Sequence, residues 1–150
     1  MIYTIVFKKN EENMEKKFID LAPNYFKEGY SCSEAIARAA VDLGLACESF
    51  VSVATSFSGG MSSRCVCGAV AGSQMVLGLL HGKYQDNSAR ALAKEFYDRF
   101  TSIHKVACCK VLSSGFKDFH SPERKNHCVN MVADCANILD NMLAESKEKV

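Results

Sequence analysis

The sequence predicts an all-α fold, a single bundle of about five to seven helices. Three observations predict it. Apolar residues recur at three- and four-residue spacing through most of the chain. Helix-start and helix-stop signals punctuate that pattern. Only one stretch, Ile2 to Phe7, has the β-branched and aromatic character of a strand, and a lone strand has no partner. The 150 residues suit one domain with its own core, 1–150, of which 11–145 form the helical part. Residues 1–10 read as a short strand or a mobile terminus.

Met14, Phe18, Leu21, Ala22 and Tyr25 make the first helical stripe. Pro23 interrupts it, which predicts a kink or a fresh start there, and Gly29 ends it. Ser31 and Glu34 form an S-x-x-E capping box that starts the second helix, and Gly44 stops that helix. Phe50, Val51, Ala54 and Phe57 mark a short third helix. After a Gly59-Gly60 turn comes the most apolar segment, Val66 to Leu80, apolar nearly all round and therefore central. Asn87 or Ser88 caps a fifth helix with Leu92, Phe96 and Phe100 inward. Cys108 to Leu112 reads as a short helical turn. The last helix, from about Asn126, carries Cys128, Met131, Val132, Cys135, Ile138, Leu139 and Met142 on one stripe.

Charge excludes several functions. With 18 basic and 17 acidic side chains mixed along the chain, the net charge is +1, no footprint for nucleic acid or an anionic membrane. The longest charge-free stretch, Cys65 to Leu80, is shorter than the ~20 residues that span a bilayer. Met1 to Phe7 precedes rather than follows its lysines, unlike a signal peptide. The expected location is cytoplasmic, where eight cysteines stay reduced, bind metal or cycle through transient disulfides.

The thiols are placed suggestively. Cys67 opens the apolar central helix, and Cys32 follows the cap Ser31. Cys128 lies near the start of the last helix, and Cys109 sits at a loop–helix junction. A helix N-terminus favours thiolate over thiol, so Cys67 is expected to be a nucleophile of lowered pKa. Cys65-Val66-Cys67 is a C-x-C pair and Cys108-Cys109 a vicinal pair, which makes Cys65 and Cys108 secondary candidates. Cys47 and Cys135 fit plain packing or an incidental thiol. Gly68 and Gly72, four apart on the central helix, admit a neighbouring backbone or a bound group, such as a cofactor, against that face. They also allow close packing in a homodimer. His81, His104 and His120 read as surface or loop residues. The C-x-x-C, C-x-x-C-H, G-x-G-x-x-G and P-loop motifs are absent.

Gly29-Tyr30-Ser31-Cys32-Ser33-Glu34-Ala35, Phe57-Ser58-Gly59-Gly60-Met61, and Cys67-Gly68-Ala69-Val70-Ala71-Gly72 with Met75-Val76-Leu77-Gly78-Leu79 together resemble the redox-active family labelled C-GCAxxG-C-C. Cys109-Lys110-Val111-Leu112 and Cys128 resemble its last two cysteines. The resemblance implies a small, mostly helical protein of redox chemistry, with Cys32, Cys67, Cys109 and Cys128 as signature thiols. The label has Gly-Cys-Ala where this chain has Cys67-Gly68-Ala69, so Cys65 and Cys67 both fit the second cysteine.

Three functions follow as expectations. In the first, Cys67 attacks and Cys32 or Cys109 resolves in thiol–disulfide or electron-transfer chemistry. Its partner is a redox protein or a small thiol or disulfide, and it has no bound cofactor. In the second, Cys32, Cys67, Cys109 and Cys128 ligate zinc or an iron–sulfur cluster. In the third, the cysteines only fill a helical core.

Overall fold

Seven α-helices and no strand make up the described residues, 16–148, of the computed structural model. The proposed strand or mobile terminus at residues 1–10 lies outside them. The helices are α1 (Phe18–Glu28), α2 (Cys32–Asp42), α3 (Ser49–Ala54), α4 (Gly68–His81), α5 (Ser88–His104), α6 (Cys109–Leu112) and α7 (Pro122–Glu148). None of them is long and apolar enough to cross a membrane.

Pro23 lies inside α1, which neither ends nor restarts there. Proline at that point removes only the bond to Ile19, while α1 is held along its length by α2 and α7. Its first turn is capped from a distance. Asp140 of α7 accepts from the N–H groups of Phe18 and Ile19 at 2.9 and 3.0 Å. Gly29 (φ 115°) ends α1 in the left-handed region, and its N–H and that of Tyr30 close onto Phe26 and Tyr25 carbonyls. Ser31 then forms the expected capping box: its Oγ accepts from Glu34 N–H, and its own N–H donates to the Glu34 carboxylate.

The third helix continues as a tighter turn over Thr55–Phe57. Two boundaries differ from the sequence reading. The central helix begins at Gly68, so Cys67 is its N-cap. The last helix begins at Pro122, not near Asn126. Pro122 stands at its first position, where the missing N–H has no partner to lose, and Ser121 Oγ accepts from Arg124 N–H at 3.2 Å. Cys128 is therefore in the second turn. His104 is not a surface residue: it packs on Phe100, and its Nε2 lies 2.8 Å from Asp134. His81 is likewise partly buried, with a buried Nε2 that has no hydrogen-bond partner among the described residues.

Phe18, Ile36, Val70, Leu77, Phe96, Phe100, Val132 and Leu139 form the fully buried centre. Small residues let α2 and α4 approach closely. A Cβ added at Gly72 would lie 3.0 Å from Ser33 O and 3.3 Å from Ile36 Cβ. The glycine face is thus filled by α2 from the same chain, which removes the reason for a homodimer through it.

The loop before α4 is strained. Gly59 and Gly60 are left-handed, and so are Met61, Ser62 and Arg64, with φ of 58°, 54° and 55°. Side chains disfavour that region by roughly 1–2 kcal/mol each. Ser62→Gly is expected to stabilise the protein by about 0.5–1 kcal/mol, after the glycine's larger unfolded-state entropy is subtracted. Urea denaturation checks this, and a loss of stability would show that the strain is absent.

Candidate functional site

Four cysteines from four segments line one cavity: Cys32 at the start of α2, Cys67 before α4, Cys109 at the start of α6 and Cys128 on α7. Gly59, Gly68, Leu112, Ser113, Arg124 and Met131 complete the wall. The space open to the centre of a water-sized sphere is about 20 Å³, enough for one water molecule.

Local structure fixes each sulfur. Val66 and Cys108 form an isolated antiparallel bridge. Cys67 N–H donates to Ala107 O at 2.7 Å and Cys109 N–H to Cys65 O at 2.5 Å, which holds the two segments side by side. Gly60 admits this approach, because a Cβ there would lie 2.9 Å from Cys109 Cβ. Gly68 has no room for a methyl group, since the Cys32 sulfur occupies its place. Hydroxyls anchor the start of α2: Ser33 donates to Ala54 O at 2.8 Å, and Ser58 donates to Ser31 at 2.6 Å.

An open groove of about 1080 Å³ lies alongside. Cys32, Gly59, Arg124 and Cys128 line both spaces, whereas Cys67 and Cys109 line only the cavity. Cys32 and Cys128 are half-buried; Cys67 and Cys109 are buried. Two thiols therefore face the groove and two lie behind them.

The electrostatics overturn the expectation for Cys67. Burial, at 6% exposure, pushes its pKa up to about 12, and the neighbouring Cys32 adds to the rise. The Ala69 and Val70 N–H groups pull the other way without closing a cap hydrogen bond to the sulfur. Desolvation thus outweighs the helix terminus. Burial also raises Cys109, helped by Cys32 and Cys128 and opposed by Arg124. Cys128 is raised by burial and lowered by Arg124, whose Nη1 donates to its sulfur at 3.5 Å. Cys32 is the one thiol whose charge raises the other three.

The consequence for stability has a definite sign. An unfolded thiol ionises near pH 8.5, and folded Cys67 at about 12. Between those values the unfolded chain binds fewer protons, so stability falls as pH rises. Cys67 alone contributes a loss on the order of 1 kcal/mol per pH unit across that window. Urea titrations at pH 7, 9 and 10 test it, with Cys67→Ala expected to flatten the slope. Iodoacetamide at pH 8 should label exposed Cys47 and Cys65 first and buried Cys67 and Cys135 last, as peptide mass spectrometry reads directly.

The other thiols stand apart from the cavity. Cys65 is exposed, and Cys108 is half-buried with its sulfur 3.8 Å from Arg64 O; neither lines it. Cys47 is exposed, and a hydrogen bond with Ser49 lowers its pKa. Cys135 is fully buried in the core, where burial and then Cys67 raise its pKa. Among the described residues, no group of three or more His, Cys, Asp or Glu is placed to hold a metal ion.

Sequence reasoning missed Arg124 and Phe119. Arg124 lies four residues before Cys128 on one helix, a spacing that puts the two side chains together. Its guanidinium sits 3.7 Å over the Phe119 ring, and that of Arg64 sits 4.4 Å over the same ring.

Comparison with known proteins gives one result. No curated protein and no solved structure matches the chain. The family described as "Putative redox-active protein (C_GCAxxG_C_C)" matches residues 30–142, a span that takes in all four cavity cysteines and both glycines of the central helix. The chain belongs to that family of redox-active proteins.

Proposed function

We propose that the cavity is a dithiol–disulfide centre, with Cys32 as the leading thiol and one of Cys67, Cys109 and Cys128 as its resolving partner. The observation that carries this is the shared wall: Cys32 faces the open groove while lining the cavity with the other three sulfurs. Two thiols lose two electrons and two protons to a partner disulfide, and a sulfur–sulfur bond closes inside the cavity. This order reverses the one expected from sequence. Buried Cys67 stays protonated near neutral pH and cannot meet a substrate directly. It is suited to resolve, since its proton has only to leave as Cys32 is attacked.

The test is oxidation by a disulfide, alkylation of the remaining thiols and peptide mass spectrometry. The expected product links Cys32 to Cys67, Cys109 or Cys128. Oxidised protein with no link among these four would sink the reading. Cys47→Ser with Cys65→Ser should be the background, because those exposed thiols otherwise react first and obscure the cavity.

A further inference from the structure

We infer that the groove takes a small anionic disulfide, whose carboxylates meet Arg64 and Arg124 while its sulfur–sulfur bond reaches Cys32. The inference rests on the dithiol reading and adds a substrate class to it.

Charge is the first ground. Lys27, Arg64, Arg124 and Lys125 line the groove against a single acid, Glu34. Four cations less one anion leave +3 locally, although the whole chain carries only +1. Glu34 is engaged in the capping box of α2. None of the four cations forms a salt bridge among the described residues. A concave surface with one sign of charge concentrates ligands of the other sign.

Preorganisation is the second ground. Both guanidiniums rest on Phe119, so a single ring positions two cations. The Arg124 Nε is buried and has no hydrogen-bond partner among the described residues. A carboxylate meets a guanidinium in a planar fork of charge-assisted hydrogen bonds. Arg124 also belongs to the wall shared with the cavity. The anion site and the reacting sulfur are therefore neighbours.

Chemistry selects among anions. Any carboxylate can meet the arginines, but only a disulfide gives Cys32 something to exchange with. The groove, about 1080 Å³, is at the upper end of volumes that hold a small molecule. The Cys32 thiolate attacks one sulfur of R–S–S–R, forming Cys32–S–S–R and expelling RS⁻, which takes up the proton that Cys32 gave up. A second cavity thiol attacks the Cys32 sulfur and expels the second RS⁻, which takes up that thiol's proton. Two protein thiols are oxidised to one disulfide, and R–S–S–R is reduced to two RSH.

Single-turnover mixing of reduced protein carrying Cys47→Ser and Cys65→Ser with three disulfides tests this. The probes are oxidised glutathione (anionic), bis(2-hydroxyethyl) disulfide (neutral) and cystamine (cationic). Each rate is divided by that of free cysteine with the same disulfide. The normalised anionic rate should exceed the neutral one by at least about tenfold, and the ratio should shrink at high salt. Arg64→Gln should lower that ratio about threefold or more. Equal normalised rates, or a preference for cystamine, overturn the substrate class while leaving the dithiol centre standing. Failure of all three disulfides to oxidise the cavity overturns both.

Discussion

Cys32→Ser is expected to abolish disulfide formation in the cavity. The other three sulfurs remain, but two of them lie behind the groove wall and have no route to a partner. Cys128 also lines that wall, and burial raises its pKa. Serine cannot be oxidised in this way, and its hydroxyl fits where the thiol was. The oxidation rate in a background of Cys47→Ser and Cys65→Ser should fall by about a hundredfold or more, as expected when the attacking thiolate is lost. Thiol counting after quenched reaction measures it. If Cys32→Ser oxidises normally and Cys128→Ser does not, the leading role belongs to Cys128.

Gly68→Ala is the second large effect, and its sign is informative. Alanine is the better helix former, by about 1 kcal/mol in a helix interior. At Gly68, however, the added methyl would overlap the Cys32 sulfur and stand 3.0 Å from Phe57 O, which is backbone. Overpacking of this kind costs about 1–3 kcal/mol. Gly68→Ala should therefore lower stability, with a fall in Tm of several degrees. It should also displace Cys32 and slow its alkylation. Gly78→Ala on the same helix is the control, since nothing lies within 4 Å of its added Cβ. It should stabilise by up to about 1 kcal/mol. If both variants stabilise, the close fit between α2 and α4 is wrong.

The helices were legible because their causes are local. The Ser31 and Glu34 side chains cap the first turn of α2 from within four residues of sequence, and the stripe Val132, Cys135, Leu139 needs only helical periodicity. The start of α7 was misjudged because the apolar stripe does not reach Pro122; the cap at Ser121 was the better signal. The four site cysteines were recognisable from helix placement and family resemblance. Between Cys65 and Cys67 the motif alone did not choose, and in the structure only Cys67 lines the cavity. The pKa of Cys67 was read wrongly because a helix terminus is visible in sequence whereas desolvation is a property of the packed whole. Arg64, Arg124 and Phe119 escaped notice for a similar reason. Arg64 is far from the other two in sequence, and the shared ring stack exists only after folding.

The clasp between Asp140 and the beginning of α1 sets an order of events during synthesis. The carboxylate that receives the Phe18 and Ile19 N–H groups is made 122 and 121 residues after them. Until then α1, eleven residues long with a proline in its middle, lacks the length and composition to persist alone in water. The nascent chain must therefore wait for α7 before the start of α1 is secured. A stalled chain ending before Asp140 should leave α1 open to proteolysis while α2 and α4 already pack together.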